Sequence, residues 1–321
     1  MAGQVQNGKA FEYALALQYY SKLQEMGINV ELIENAALSV ARGYFQGFST
    51  AVQKKYNASA IATLDTMLKI EPGLTNPNTD KDVLKIMLSA DGDGADGDVR
   101  DVVFKRDKPV WEIGFSAKNN NDAVKHSRLS SVLDFGKSWV GVPCSQTYWN
   151  EIAPIFEYTD IKTREGATWD SIGRDKIDLV YKPLLDAFKK ELLYINSHND
   201  EIPQRLVRYL IGRYPFYKII KDDSSSMVIV KAFNIERGLN KNLGGHRSRY
   251  KIPNINLPTR IVEFDYMIGH EDNTLDMILD GGWEISFRIH NADKKFESSL
   301  KFDIKLLGNP PVLFTQHIFQ D

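Results

Sequence analysis

Gly97 to Leu129 reads GDVRDVVFKRDKPVWEIGFSAKNNNDAVKHSRL. It holds two short apolar runs, Val102-Val103-Phe104 and Val110-Trp111 with Ile113 and Phe115, separated by a polar turn from Lys105 to Pro109. β-Branched and aromatic runs bounded by such a turn predict a β-hairpin. Acids at Asp98 and Asp101 lead into the first strand, and a lone lysine, Lys118, ends the second. The hairpin therefore folds carboxylates and an ammonium back to the same end.

Working outward, Gly8 to Met26 places Phe11, Leu15, Tyr19 and Leu23 on one helical face, with Glu12 in the first turns. Leu32 to Phe48 and Ala51 to Ile70 predict two more helices, the second stopping before Glu71-Pro72-Gly73. Leu74 to Lys81 reads as turns, Val83 to Leu88 as a strand, and Ala90 to Gly97 as an Asp/Gly loop. After the hairpin we expect a helix from about Asn120 to Leu129 and a short extended segment at Trp139 to Pro143. Helices follow over Gln146 to Glu157, Asp175 to Asn196 with a break at Pro183, and Glu201 to Arg213. From Phe216 the texture turns to strands: Val228 to Phe233, Thr259 to Tyr266, Leu275 to Leu279, Trp283 to Ile289, Leu300 to Leu307 and Val312 to Ile318. The expectation is an α/β protein with a mixed sheet flanked by helices and a β-rich C-terminal part. It divides into residues 1–215 and 216–321 at a soft boundary.

The 321 residues, 43% apolar and 26% charged, suffice for one large domain or two ordinary ones. No apolar run approaches the ~20 residues of a membrane helix. The N-terminus has no basic segment followed by an apolar one. With a single cysteine, Cys144, an internal disulfide is excluded and a reducing cytoplasm is expected. Cys144 follows Pro143 in an apolar setting and reads as a buried structural thiol. The net charge of −2 does not suggest a polyanion-binding protein, but its distribution matters more. Between Ala232 and Val262 the only acid is Glu236, against Arg237, Lys241, His246, Arg247, Arg249, Lys251 and Arg260. Gly244-Gly245 and Pro253 make this basic stretch an arm rather than a helix face.

Carboxylates beside a lysine suit metal-assisted cleavage of a phosphodiester, because Mg²⁺ takes oxygen ligands and a cation offsets developing charge. This is the logic of the PD-(D/E)xK nucleases. Asp101 directly precedes the first apolar run, and Asp98 is its rival as first acid. The second half departs from the pattern: the acid of acid-x-Lys is replaced by Ser116, giving Ser-Ala-Lys. Glu112 faces the same side as Lys118 but lies about 20 Å away along a strand. The second carboxylate must come from elsewhere, with Glu12, Asp122 and Asp134 as candidates. Lys125, His126 and Arg128, just beyond, are candidates for phosphate contact.

WEIGFSAKNNNDAVKHSRLS, followed by PCSQTYWNEIAPIFEY, resembles the HaeIII-type restriction endonucleases. GKAFEYA, GDVRDVVF, LPTRIV and GWEISFRIHNADKKFESSLKFDI are similar to segments of that family in the same order, covering nearly the whole chain. The resemblance implies a restriction-endonuclease-like core and Mg²⁺-dependent cutting of double-stranded DNA at the palindrome GGCC to give blunt ends. It also implies a bacterial or archaeal cytoplasm and a cognate methyltransferase acting on the same site without stable contact. Carried over by residue, it points to Asp101 with Asp98 as rival, to Lys118 and Glu12, and to Ser116, since the family shares Ser-x-Lys. Asp134 in LDFG also falls on a family-like segment, whereas Asp122 does not.

GGCC presents guanine O6 and N7 in the major groove, where Arg or Lys is the usual partner. Arg260 in LPTRI and Arg288 with His290 in SFRIHN are the candidate readers, with Lys301 on the same surface. A palindromic target suggests a homodimer, with cutting by a sequential monomer as the other route. A repair or recombination nuclease and a non-cleaving DNA-binding protein stay open beside a restriction enzyme.

Overall fold

The computed structural model describes residues 2–90, 97–125, 127–243, 245–248 and 250–319. The chain divides into two compact units, residues 1–122, 212–255 and 312–321 in the first and residues 123–211 and 256–311 in the second. The units interleave along the sequence, where composition suggested one cut near residue 215.

The first unit is a seven-stranded mixed sheet covered by helices. Its strands are β1 (Val30–Leu32), β2 (Leu84–Leu88), β3 (Val102–Asp107), β4 (Val110–Asn119), β7 (Phe216–Asp222), β8 (Met227–Phe233) and β13 (Phe314–Phe319), in the order β1-β2-β3-β4-β7-β8-β13. β1–β2 and β4–β7 pair in parallel and the remaining neighbours antiparallel. The helices are α1 (Ala2–Glu25), α2 (Ala36–Gly47) and α3 (Thr50–Ile70). The expected face of α1 is buried: Phe11, Leu15, Tyr19 and Leu23 are fully enclosed. The Tyr19 ring packs edge-on against Phe104 and Phe115 at 5.3 and 5.1 Å, which seats α1 on the hairpin. α2 starts later than Leu32, because the Asn35 side chain accepts from Leu38 N and caps the helix while Val30–Leu32 pairs with β2. The strands of the hairpin run longer than expected, leaving Lys108-Pro109 as the turn.

The second unit carries a six-stranded sheet in the order β5-β12-β11-β10-β9, with β6 also paired to β12. The strands are β5 (Ala123–Lys125), β6 (Arg128–Ser130), β9 (Ile261–Tyr266), β10 (Thr274–Leu279), β11 (Glu284–His290) and β12 (Ser299–Gly308). Its helices are α4 (Gln146–Arg164), α5 (Lys182–Ser197) and α6 (Ile202–Ile211). Phe135, Phe188, Phe287 and Phe302 form an aromatic core with ring centroids about 5 to 6 Å apart.

Three expectations are corrected here. Asn120 to Leu129 is not a helix, because β5 and β6 pair with β12 and that pairing outweighs weak local propensity. Trp139 to Pro143 is not extended: Gly136–Val140 is a helical turn closed by Gly141 at φ +74°. Phe216 to Asp222, given no strand in the sequence reading, is β7 at the heart of the first sheet. The expected interruption at Pro183 is present: a π-helical segment, Lys176–Tyr181, gives way to α5 at Lys182, and Pro183 occupies the first turn of α5. Among the described residues no helix is long and apolar enough to cross a membrane.

Candidate active site

Asp101 is fixed where β2, β3 and β4 meet. Its N–H donates to Phe115 O at 2.7 Å, and its carbonyl accepts from Ser89 N at 3.0 Å. The carboxylate then points along the end of β4. Oδ2 accepts from Ala117 N at 2.7 Å and from Ser116 Oγ at 3.3 Å, and lies 3.9 Å from Lys118 Nζ. Ser116 and Lys118 are two apart on β4 and share the sheet face opposite Phe115 and Ala117, which belong to the core under α1. The side chains of Asp101 and Lys118 are each about a quarter exposed, open enough for a ligand.

Glu12 of α1 is 5% exposed, and its Oε2 accepts from Lys9 Nζ at 3.0 Å. Burial and the negative charge of Asp101 raise its pKa to about 8, against the pull of Lys9 and Lys118. Asp101, Ser116 and Lys118 therefore meet at one place, and Glu12 lies within electrostatic reach of Asp101 and Lys118.

Asp98 is engaged elsewhere. Arg100 Nε and Nη2 reach its two oxygens at 2.8 and 2.6 Å, and Arg100 N adds a bond at 3.0 Å. The same guanidinium binds Glu112 at 2.6 Å and covers the Tyr214 ring at 4.4 Å. This accounts for Glu112, which strand spacing had already removed from the set. Asp134 belongs to the second unit, where its Oδ1 accepts from Lys137 N at 2.8 Å and Cys144 N at 3.1 Å. Cys144 is buried, with Sγ accepting from Gly136 N and its pKa pushed well up by burial, as expected of a structural thiol.

The residues bring a hard oxygen donor set to one place. Among the described residues no cluster of three or more His, Cys, Asp or Glu side chains has metal-ligating geometry. Two carboxylates are within what Mg²⁺ takes from a protein, the rest of its shell being water and phosphate. Glu12 and Asp101 fit that role: the charge of Asp101 raises the cost of ionising Glu12, a penalty that a divalent cation would relieve.

Several residues proposed for phosphate or base contact meet on the second sheet. Arg128 of β6 pairs with Lys301 of β12, which pairs with His290 of β11, so the three form one cross-strand row. Arg288 stands next to this row on β11, half exposed, with Asp303 opposite at 3.4 Å. Arg128 Nη1 also donates to Ser299 Oγ at 2.9 Å and lies 3.4 Å from Glu297. His290 Nδ1 is buried without a hydrogen bond, and burial followed by the charges of Arg288 and Lys301 lowers its pKa. Lys125 instead lies over the Tyr209 ring at 3.8 Å. Arg260 is exposed just before β9, its backbone tied to Asp280, and Arg247 is exposed in the irregular segment after β8. His126 and Arg249 lie outside the described residues.

One group beside the site escaped the sequence reading: Lys218 of β7 and Lys231 of β8, both bound to Asp122. The only signal was a pair of lysines inside strongly apolar runs.

The family model for the HaeIII restriction endonuclease matches residues 8–310 of the chain. The type II restriction enzyme HaeIII of Haemophilus aegyptius is 38% identical over 308 residues, which is 96% of this chain and 95% of that protein. No solved structure matches.

Proposed function

The chain belongs to the HaeIII restriction endonuclease family and is a type II site-specific deoxyribonuclease, and from that premise we propose that it cuts double-stranded DNA at GGCC, leaving blunt ends, with Mg²⁺ as cofactor. The observation that carries the chemistry is the Asp101 carboxylate, held by Ser116 and Ala117 and 3.9 Å from Lys118. Asp101 and Glu12 would hold the metal. When bound there, Mg²⁺ polarises the phosphodiester and acidifies a coordinated water. Ser116 donates to Asp101 and fixes the direction of its carboxylate. Lys118 offsets the charge that develops on the phosphate or holds the attacking water. Glu12, buried and with its pKa raised to about 8, would have to be ionised to serve as a ligand. Asp98 and Asp134, already bonded to Arg100 and to backbone N–H groups, stand outside this set.

The division of labour places hydrolysis on the first unit. Base and phosphate contacts fall to the Arg128–Lys301–His290 row and Arg288 of the second, with Arg260 as a further candidate reader and Arg247 as a further phosphate contact. A palindromic site pairs naturally with a homodimer, and a cognate methyltransferase protects the same sequence without a stable contact. Digestion of DNA of known sequence in Mg²⁺ tests the proposal. It is expected to give discrete blunt fragments ending at the centre of GGCC. A smear, nicks alone, or binding without cleavage overturns it.

A further inference from the structure

Lys218 stands in the middle of β7 and is 2% exposed. Its register partners are Ser116 on β4 and Lys231 on β8, so the three side chains share one face of the sheet. Lys218 Nζ donates to the Asp122 carbonyl at 2.9 Å and is ion-paired with Asp122 Oδ1. Lys231 Nζ takes Oδ2 at 2.6 Å. Burial pushes the Asp122 carboxyl up, but the two ammoniums outweigh it and hold the carboxyl below its usual range. Burial drives the Lys218 pKa down to about 8 against the pull of Asp122, and the charges of Lys118 and Lys231 add to the fall. Lys218 is thus within electrostatic reach of Lys118.

The segment these bonds close is the one that follows Lys118. Asn120 adopts φ +56°, its N–H donates to Lys221 O at 2.8 Å, and its side chain exchanges bonds of 2.7 and 2.8 Å with Asp223. Asp122, two residues on, is held by the lysine pair. A buried ammonium is costly unless paired, and an apolar side chain of similar size would serve packing as well. Lys218 is too enclosed to meet DNA, and both oxygens of Asp122 are taken, so neither is placed to bind substrate or metal directly.

We propose that Lys218 is a positioning residue of the nuclease site: by clamping Asp122 it fixes the turn at the end of β4 and so keeps Lys118 beside Asp101. This rests on the roles given above to Lys118 and Asp101. Misplacement of a reacting group by about 1 Å can cost about 10²-fold in rate. The test compares Lys218→Met, Lys218→Arg, Asp122→Asn and the Lys218→Met/Asp122→Asn double variant in the full chain. Each is measured for thermal unfolding, DNA affinity in EDTA and single-turnover cleavage in Mg²⁺, with Lys118→Ala as control. Lys218→Met is expected to lose about 10²-fold in cleavage with affinity nearly unchanged. Asp122→Asn should lose a similar factor, the double variant no more than either single, and Lys218→Arg should recover at least tenfold by keeping the charge. Normal cleavage by folded Lys218→Met overturns the proposal, as do equal losses in affinity and rate or losses that multiply in the double variant. If Lys218→Met does not fold, Asp122→Asn decides alone: normal cleavage overturns the clamp, and a rate loss with retained affinity upholds it. Normal cleavage by Lys118→Ala would instead remove the underlying reading of the site.

Discussion

In the first unit, several charged side chains of the sheet and of α1 are closed in. Arg106 is fully buried against Asp82, Lys218 is 2% exposed, and Glu12 is 5% exposed. On the second sheet Arg288 keeps 52% of its side chain in solvent, with Lys301 and Arg128 partly open beside it. A charge held in low dielectric is fixed in place by its partners and acts strongly over short distances. A charge at the surface stays mobile, is screened by salt, and is free to exchange its partner for a phosphate or a base edge. The first arrangement suits chemistry at one point and the second suits recognition spread over several base pairs.

The sharpest way to break this contrast is at Arg106, whose Nε donates to Gly73 O at 2.7 Å and whose Nη1 pairs with Asp82. Arg106→Leu leaves Asp82, 3% exposed, without its partner. The expected loss is about 3–5 kcal/mol in urea unfolding, with much of it regained in Arg106→Leu/Asp82→Leu. A loss below about 1 kcal/mol, the range of surface pairs, would mean that burial on this sheet carries no special weight.

Next in size is Lys118→Ala. Removing a preorganised charge aimed at the transition state is expected to slow single-turnover cleavage about 10²–10³-fold or more. Binding to the same DNA in EDTA should hold, since Lys118 is one of many cationic contacts. Parallel losses of rate and affinity would make Lys118 a binding residue like those of the second sheet.

Arg288→Ala probes the exposed side. If Arg288 reads a guanine, specific binding should fall by about 1–3 kcal/mol, while affinity for unrelated DNA changes little. An equal loss on every sequence, with a shallower salt dependence, would mark a phosphate contact instead.

What the sequence shows of this contrast follows from what each residue depends on. The hairpin and Asp101 with Ser-Ala-Lys118 are legible because strand period and turn position are local. Removing Glu112 needed only the rise per residue, and the structure gives it to Arg100. β7 is harder to see, because Lys218 and Lys221 in Phe-Tyr-Lys-Ile-Ile-Lys-Asp interrupt an apolar run and only partners more than 90 residues away or at the next turn neutralise them. β5 and β6 are three residues each and exist through pairing with β12, some 170 positions later. Asp98 reads as a rival of Asp101 for the first acid, and Asp134 as a candidate for the second carboxylate. Hydrogen-bond partners separate them, and those are set by the fold.

Glu12 gives the most direct reading of burial. Its pKa is raised from 4.5 to about 8, so between those values the folded protein keeps a proton that the unfolded chain has released. With the native state binding more protons, stability must fall as pH rises through that window. One full proton corresponds to a slope of about 1.4 kcal/mol per pH unit at most. In EDTA, Glu12→Gln should remove this component, so its unfolding free energy falls less steeply than that of the wild type from pH 5 to 8. Glu71, also buried and raised to about 7, contributes to both proteins and cancels in the difference. A metal that binds through the ionised Glu12 must displace the same proton, so wild-type Mg²⁺ affinity should rise with pH up to about 8 and that of Glu12→Gln should rise less. Matching pH slopes in the two proteins would mean that Glu12 is ionised already in the free enzyme, and that the first unit balances this carboxylate with Lys9 and Lys118 rather than with a proton.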